Sequence, residues 1–357
     1  MYRNKNTHRT FRITHYHTYM KKKQIIQALF LIFLIVGTVY IAITERAKDY
    51  TTKAEVRKFT ENIFGTIMHV TYTSPTDLND SIMHTLRQVD SSLSMFNPKS
   101  TISRINNGES TRTDPMLRKI LPIALEVSKA TDGAFDITVA PLVNAWGFGF
   151  RNGQLPTDAQ VDSIRQFVDW HKLRITSDSL IRQDERMVID LSAIAKGFGT
   201  DCVAECLRRN GVSDFMVEIG GEVVCQGNNP KGEAWHIGIT RPDETEQASA
   251  GDIEEVLQVH DCAMATSGNY RNYYIAPDGR KLAHTINPRS GRPIQHNILS
   301  STVIAPTCAI ADAYATSFMV LGLDSSRQVL SSHPALQAFL IYTDSQGKYQ
   351  TWTNIRK

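Results

Sequence analysis

The stretch DLSAIAKGFGTD, residues 190–201, packs two carboxylates, a serine, a lysine and two glycines into one short segment. The apolar run before it, Met187-Val188-Ile189, predicts a strand over 186–190 that ends at Asp190. Ser192 is a good helix N-cap, and Asn210-Gly211 is a good stop. Between them Ile194, Phe198, Cys202 and Cys206 recur at i, i+4 steps and define one helix face. Lys196 lies four residues after Ser192, hence on the same side. Gly197 and Gly199 each cost about 1 kcal/mol against alanine inside a helix. Close approach of another backbone, or of a flat ligand, is a reason to keep them. A helix N-terminus at such a turn also attracts anions. The plainer reading is a capped helix packed on a sheet, with Lys196 in solvent.

Outward from this segment, helices and strands mix without strict βαβ alternation. FGTIMHVTYT (64–73) alternates as a strand, and 81–96 carries Ile82, Leu86, Val89 and Leu93 at helical spacing. FNPKSTISRINNGES (96–110) reads as turn and loop. Pro115–Thr131 reads as a helix interrupted near Pro122, and 157–170 as helical. FMVEIG, EVVCQG and WHIGIT read as strands, and YYIAPDGRKLAHTI as a hairpin about Asp278-Gly279. Residues 306–322 end in a helix, 243–251 form a polar loop, and ALQAFLIYT gives a last strand. The fold class expected is α+β, with mixed, largely antiparallel sheets and packed helices.

Charge is distributed unevenly. Of 39 Lys and Arg, seven lie in residues 1–24, which hold none of the 36 Asp and Glu; the remaining 32 bases face 36 acids, so the rest of the chain is −4. The basic excess belongs to the leader, and nothing argues for a nucleic-acid-binding body. Ile25–Ile43 is a run of 19 residues without a charge. About 20 such residues cross a bilayer as a helix. Lys21–Lys23 before it and Glu45 after it keep the N-terminus cytoplasmic by the positive-inside rule. A cleaved signal peptide is the rival, but its apolar core is shorter and ends in small residues. The expected organisation is a basic cytoplasmic leader (1–24), a transmembrane helix (25–43), a stalk (44–60) and a body (61–357) on the periplasmic side of a bacterial inner membrane. The five cysteines are scattered, with no CxxC pair, and read as small buried apolar residues.

The usual nucleotide signatures are missing, with no G-x-x-x-x-G-K-[ST] loop and no G-x-G-x-x-G fingerprint, and there is no G-x-S-x-G nucleophile elbow either. Other residues can carry chemistry. Asp312 and Thr316 are four apart on the helix of DAYAT, so a carboxylate and a hydroxyl share a face; these are hard oxygen ligands, suited to Mg²⁺ rather than zinc. In HTINPRSGRPI, His284 closes a strand, where an imidazole can act as a general base. In TDGAFDITVAPLVNAWGFGF, Asp136 follows a tight turn, and Phe135 or Trp146 can stack on a planar ring or pack in the core. Each signal alone has an ordinary structural explanation.

Taken in order, the pieces resemble the ApbE-type flavin transferases, the FAD:protein FMN transferases. The matching blocks are FGT (64–66), FNPKSTISRIN (96–106), GAFDITVAPLVNAWGFG (133–149), DLSAIAKGFGTD (190–201), EIGGEVVCQG (218–227), ATSGNY (265–270), HTINPRSGRPI (284–294) and DAYATSFMVLG (312–322). They span nearly all of the body. The resemblance implies that FAD lies in a cleft and that Mg²⁺ joins its diphosphate to the protein. The implied metal ligands are Asp312, Thr316 and the main-chain carbonyl of Ala193. The implied flavin contacts are Phe96, Ala134, Phe135, Asp136, Asp190, Lys196 and Ile286, with His284 as base and Asp312 as the catalytic carboxylate. The implied reaction moves FMN from FAD onto a Ser or Thr hydroxyl of a membrane-associated flavoprotein bearing an Asp-x-x-[Ser/Thr]-Gly-Ala-type site, and AMP leaves. Phe64 stands where many relatives have Met, Phe96 where many have Tyr, and Ala315 where some have an acid. Two other readings compete: a Mg²⁺-dependent FAD pyrophosphatase giving FMN and AMP, and a membrane-tethered flavin-binding protein without turnover. The Asp312/Thr316 pair speaks against the latter, since binding alone needs no metal.

Overall fold

In the computed structural model of this chain, Ile63 and Thr66 face each other across a two-residue turn, Phe64-Gly65. Both turn residues have positive φ, 52° and 72°. Such turns match the right-handed twist of the strands they join. They connect β1 (Glu55–Ile63) to β2 (Thr66–Ser74) at the edge of an eight-stranded sheet. The sheet continues with β3 (Phe215–Ile219), β4 (Glu222–Gln226), β5 (Cys262–Gly268), β6 (Ile298–Ala305), β7 (Gln337–Thr343) and β8 (Tyr349–Thr353). Its spatial order is its chain order, and every neighbouring pair is antiparallel. The described residues are 27, 29–41, 54–148, 155–242, 253–268, 273–275, 281–295 and 297–355.

The helices are α1 (Asn79–Leu93), α2 (Thr101–Asn106), α3 (Pro115–Ala130), α4 (Ala140–Ala145), α5 (Asp158–Arg165), α6 (Ala195–Arg209), α7 (Cys308–Leu321) and α8 (Leu323–Ser332). Burial follows the strand period. In β2, Met68, Val70 and Tyr72 point into the core, and in β3 Phe215, Val217 and Ile219 do the same. These side chains pack with Ile82 and Leu86 of α1 and Val203, Ala204 and Leu207 of α6. Fully burying each of the Val, Leu, Ile, Phe and Met side chains here stabilises the fold by roughly 1.5–3 kcal/mol. The other face of the sheet is covered by a hairpin, Trp235–Thr240 paired with Ile253–Val259. Trp235, Ile237, Ile239 and Leu257 of that hairpin pack on Val223, Cys225, Cys262, Met264, Phe339 and Ile341. β4 is therefore covered on both sides, which explains the unbroken apolar run VVC in its sequence. The α+β class and the largely antiparallel pairing are as expected.

Several local expectations fail for physical reasons. The stalk does not extend to residue 60: Glu55–Ile63 is a strand paired along its whole length with β2. It is an edge strand, exposed on most positions and carrying Glu55, Arg57, Lys58 and Glu61, so it lacks the apolar alternation that marks interior strands. Residues 187–190 join no ladder. The Asn106 side chain takes the place of a partner strand, accepting from Ile189 N–H (2.8 Å) and donating to its carbonyl (2.9 Å). The supposed loop 96–110 contains α2, capped by Ser100, whose Oγ accepts from Ser103 N–H. α3 runs unbroken through Pro122, which lies on the exposed side of the helix. Ser192 does not cap α6. The helix starts at Ala195 after Ile194, and Ser192 instead gives its N–H to Asp190 Oδ1 (2.8 Å) in an Asx turn. The chain stops α6 at Asn210 and Gly211 (φ 76°), as expected.

The chain divides between residues 54 and 55 into two units. In the first, residues 29–41 are helical, with Leu29, Phe30, Phe33 and Tyr40 exposed. No helix among the described residues is long and apolar enough to cross a membrane. The basic leader, and residues 25, 26, 28, 42 and 43 of the expected span, lie outside the described residues, as does the 243–251 loop.

Candidate active site

The segment 190–201 and the helix carrying Asp312 interlock at a glycine. A Cβ on Gly197 would stand 2.4 Å from the Cys308 carbonyl oxygen and 2.8 Å from Asp312 Cβ. The bare α-carbon lets α6 and α7 touch there. Gly197 N–H donates to Asp312 Oδ2 at 3.0 Å. Four residues later Asp201 accepts from Cys308 N–H and Ala309 N–H, each at 2.9 Å, and so caps the N-terminus of α7. One segment thus fixes both the start of α7 and its first carboxylate.

Because Gly197 N–H goes to Asp312, it does not close the usual i→i−4 bond to Ala193. No backbone N–H among the described residues takes the Ala193 carbonyl. Thr316 lies one turn beyond Asp312, half-buried, and its Oγ1 is 3.1 Å from Ser267 Oγ on β5. A carboxylate, a hydroxyl and an unclaimed carbonyl are hard oxygen donors, a set that fits Mg²⁺. Among the described residues no three His, Cys, Asp or Glu side chains group as a metal cluster. A cation here would rest on the mixed set.

Electrostatics point the same way. Lys196 pairs with Glu222, the first residue of β4, placed by the tight Gly220-Gly221 turn (φ 61° and 102°). Glu222 is 1% exposed, and its Oε2 has no hydrogen-bond partner. Burial raises the Asp312 pKa, partly offset by the Lys196 charge and the Gly197 N–H. Burial, then the charge of Asp312, raises that of Glu222 against the pull of Lys196. Burial pulls Lys196 down, but Asp312 and Glu222 outweigh it and hold its proton more tightly than usual. Two buried carboxylates against one ammonium hold an extra proton more readily than usual, and a divalent cation would take that proton's place.

Lys196 also lines a cleft of about 530 Å³, with Phe64, Gly65, Asp90, Met95, Phe96 and Ser192. Phe64 packs against Gly199, where a Cβ would lie 2.9 Å from its ring. Phe96 is 72% exposed at the cleft. The sequence-predicted residues therefore fall into two sets. Asp312, Thr316, Ala193, Lys196 and Phe96 lie on or beside the α6–α7 junction and its cleft, and the Asp190 carboxylate supports the turn that leads into α6.

The second set is internal. Phe135 lies in the main helical core, and Ala134 packs with Ile294, Ile298, Met319 and Val320. The Asp136 carboxylate accepts from Thr138 N–H (2.8 Å), Thr138 Oγ1 (2.7 Å) and Trp170 N–H (3.1 Å), and burial raises its pKa. Ile286 packs with Leu142, Trp146, Val161 and Val168. None of these four lines the cleft. His284 is half-buried, between the strands Lys281–Ala283 and Ile286–Asn287. Its segment is tied to the 132–146 region by Arg289–Asp132 (3.1 Å) and by Trp146 Nε1–H donating to the Gly291 carbonyl (2.7 Å). Asp190 N–H donates to the Ile137 carbonyl at 2.7 Å, which joins the two sets through the backbone.

Sequence reading missed Glu222, Ser267 and Asp201 as members of the site. The one available signal was Glu222 itself: a lone carboxylate opening an apolar strand directly after two glycines.

The profile of the ApbE family matches residues 64–340. An FAD:protein FMN transferase of Haemophilus influenzae is 33% identical over 329 residues, covering 87% of this chain and 94% of that protein. One from Escherichia coli is 34% identical over 285 residues, covering 77% and 79%. The solved structure of the flavin transferase ApbE from Vibrio cholerae aligns with a TM-score of 0.75 at 31% identity, covering 84% of this chain and 97% of that one. On a profile match across most of its body, and on relatives aligned over most of their own length, this chain belongs to the ApbE family.

Proposed function

We propose that this chain is an FAD:protein FMN transferase that works with Mg²⁺ on membrane-associated flavoproteins outside the cytoplasm. The observation that carries the reading is the Gly197–Asp312 hydrogen bond, which seats a buried carboxylate and leaves the Ala193 carbonyl unclaimed beside it. Asp312, Thr316 and Ala193 would hold the cation. Bound there, Mg²⁺ would offset charge on the diphosphate oxygens and on departing AMP. Lys196 would meet the diphosphate from the cleft wall, and Phe64 and Phe96 would flank the planar ring.

The reaction is an exchange of an anhydride for an ester. The hydroxyl oxygen of an acceptor Ser or Thr forms a bond to the FMN-side phosphorus. The bond from that phosphorus to the bridging oxygen breaks, and AMP leaves with that oxygen. The hydroxyl proton passes to His284, a base of the kind that works near neutral pH. The apolar run 25–43 would hold the body at the membrane, near acceptors of the Asp-x-x-[Ser/Thr]-Gly-Ala type.

The test is to incubate the full chain, in detergent, with FAD, Mg²⁺ and an acceptor-site peptide. A peptide mass gain equal to FMN, matched by free AMP, is the expected result. FMN and AMP without peptide labelling would replace the transferase with a pyrophosphatase. FAD binding without any product would leave a carrier.

A further inference from the structure

Lys196 pairs with one buried carboxylate, and the N–H of the next residue, Gly197, binds another. The Lys196 ammonium pairs with Glu222, while Asp312 takes the Gly197 N–H. Glu222 is a poor choice for stability. It opens a strand whose next residues, Val223, Val224 and Cys225, are buried and apolar, and its Oε2 has no partner. A buried ion pair with an unsatisfied oxygen is no better for a fold than well-packed apolar side chains. Lys196 differs from Glu222 in being one-third exposed, so it reaches from the cleft wall inward to its partner.

We infer that Glu222 is a positioning residue of the site: it draws the Lys196 ammonium away from Asp312, so that the Asp312 carboxylate is left to hold a divalent cation. Without Glu222, the buried carboxylate whose charge still acts on Lys196 is Asp312. The ammonium then competes with the cation for the same oxygens. The inference rests on the proposed function for the presence of a metal, but it concerns the division of charge among three of this chain's own residues.

The experiment measures Mn²⁺ binding by electron paramagnetic resonance, without FAD, on the full chain in detergent. E222Q should weaken Mn²⁺ binding by roughly 10–100-fold, the range for residues that orient metal ligands. K196M should bind Mn²⁺ at least as tightly as wild type, since the competitor is gone. The double variant K196M/E222Q should recover affinity to within about threefold of wild type. A residue that only braced the fold would give no such recovery. If E222Q fails to fold, K196M alone still decides, and weaker Mn²⁺ binding by folded K196M overturns the inference. So does a double variant as weak as E222Q, or an E222Q that binds like wild type. A wild-type chain that binds no Mn²⁺ would remove this inference and the metal from the proposed function together. Bound Mn²⁺ that ignores E222Q would remove this inference alone.

Discussion

Gly197 gives its backbone N–H to Asp312 Oδ2 at 3.0 Å, and a Cβ at Gly197 would lie 2.4 Å from the Cys308 carbonyl oxygen. The first distance needs the second: α6 and α7 bond here because nothing but hydrogen stands between them. Gly197→Ala should therefore fail despite a helix-propensity gain of about 1 kcal/mol. The added methyl meets backbone, which cannot turn aside, and overpacking of this kind typically costs about 1–3 kcal/mol. Denaturant melts should show net destabilisation. Transfer should fall by more than the unfolded fraction explains, because the shift also displaces Asp312. A variant more stable than wild type would mean that the helices have slack at this point.

Asp312→Ala removes the buried carboxylate of the proposed cation set. Lys196 keeps Glu222 as its partner, so the fold should survive. Transfer should drop by at least about 10², as for loss of a preorganised charge at a reacting centre. Thr316→Ala should be milder, because a neutral hydroxyl gives less to a cation than a carboxylate does. Rates over a Mg²⁺ titration check both. An Asp312→Ala variant that turns over normally at limiting Mg²⁺ would sink the metal assignment.

How much of this was legible beforehand depended on whether a residue's job was local. The strands β2, β3, β4 and β7 announced themselves by period or apolar run, and α6 by its i, i+4 face. β1 did not, because an edge strand exposed on most positions has no reason to alternate. The run at 187–190 reads as a strand but joins none, because its partner, the Asn106 side chain, comes from 83 positions away. The glycines of 190–201 point in the sequence to a close approach, and at Gly197 that approach is present. Glu222 left only a weak local signal, and Ser267 and Asp201 left none as site members, because their roles exist only once distant segments meet. Asp136 shows the reverse: a motif carboxylate that the fold uses on Thr138 and Trp170.

Asp201 should make stability depend on pH in a particular window. Burial raises its pKa from an ordinary 3.8 to about 6 in the folded chain. The folded state therefore binds the proton more readily than the unfolded state. This group's contribution to stability is fully present below about pH 4 and is lost as pH rises through about 6. Asp201→Asn should remove that slope between these limits. It should weaken the cap on α7 only in part, since the amide keeps one accepting oxygen for the Cys308 and Ala309 N–H groups, and by less than the roughly 0.5–2 kcal/mol of a cap replaced by alanine. Urea melts of both proteins at several pH values from 4 to 7 read the two effects separately. Parallel pH curves would mean that Asp201 titrates normally.

The charge pattern around 25–43 predicts one crossing with the body outside the cytoplasm. A C-terminal reporter that matures only in an oxidising compartment should be active. Replacing Lys21–Lys23 with Gln should lower that activity and raise cytoplasmic signal. A mature chain beginning near residue 45, or a reporter active only in the cytoplasm, would contradict an anchored, outward-facing body.

His284→Ala addresses the proton. A general base typically contributes about 10²–10⁴-fold, and the rate of transfer to a protein hydroxyl should fall by that order. FAD affinity should change little, because Lys196 and the cation set, rather than the imidazole, are the proposed diphosphate contacts. The wild-type rate should decline on the acid side as the base becomes protonated, and the variant should lose that limb. The structure also supplies a competing role. The 284–294 segment is tied down by Arg289–Asp132 and by Trp146 to Gly291, so a change at its start could simply loosen it. In that case thermal melts would drop, the acid limb would persist, and activity would track the folded fraction. Arg289→Ala separates the two, since it loosens the same segment and leaves the imidazole in place. If Arg289→Ala reproduces the full loss of rate while keeping the acid limb, His284 is a support for its loop and the base must be sought elsewhere.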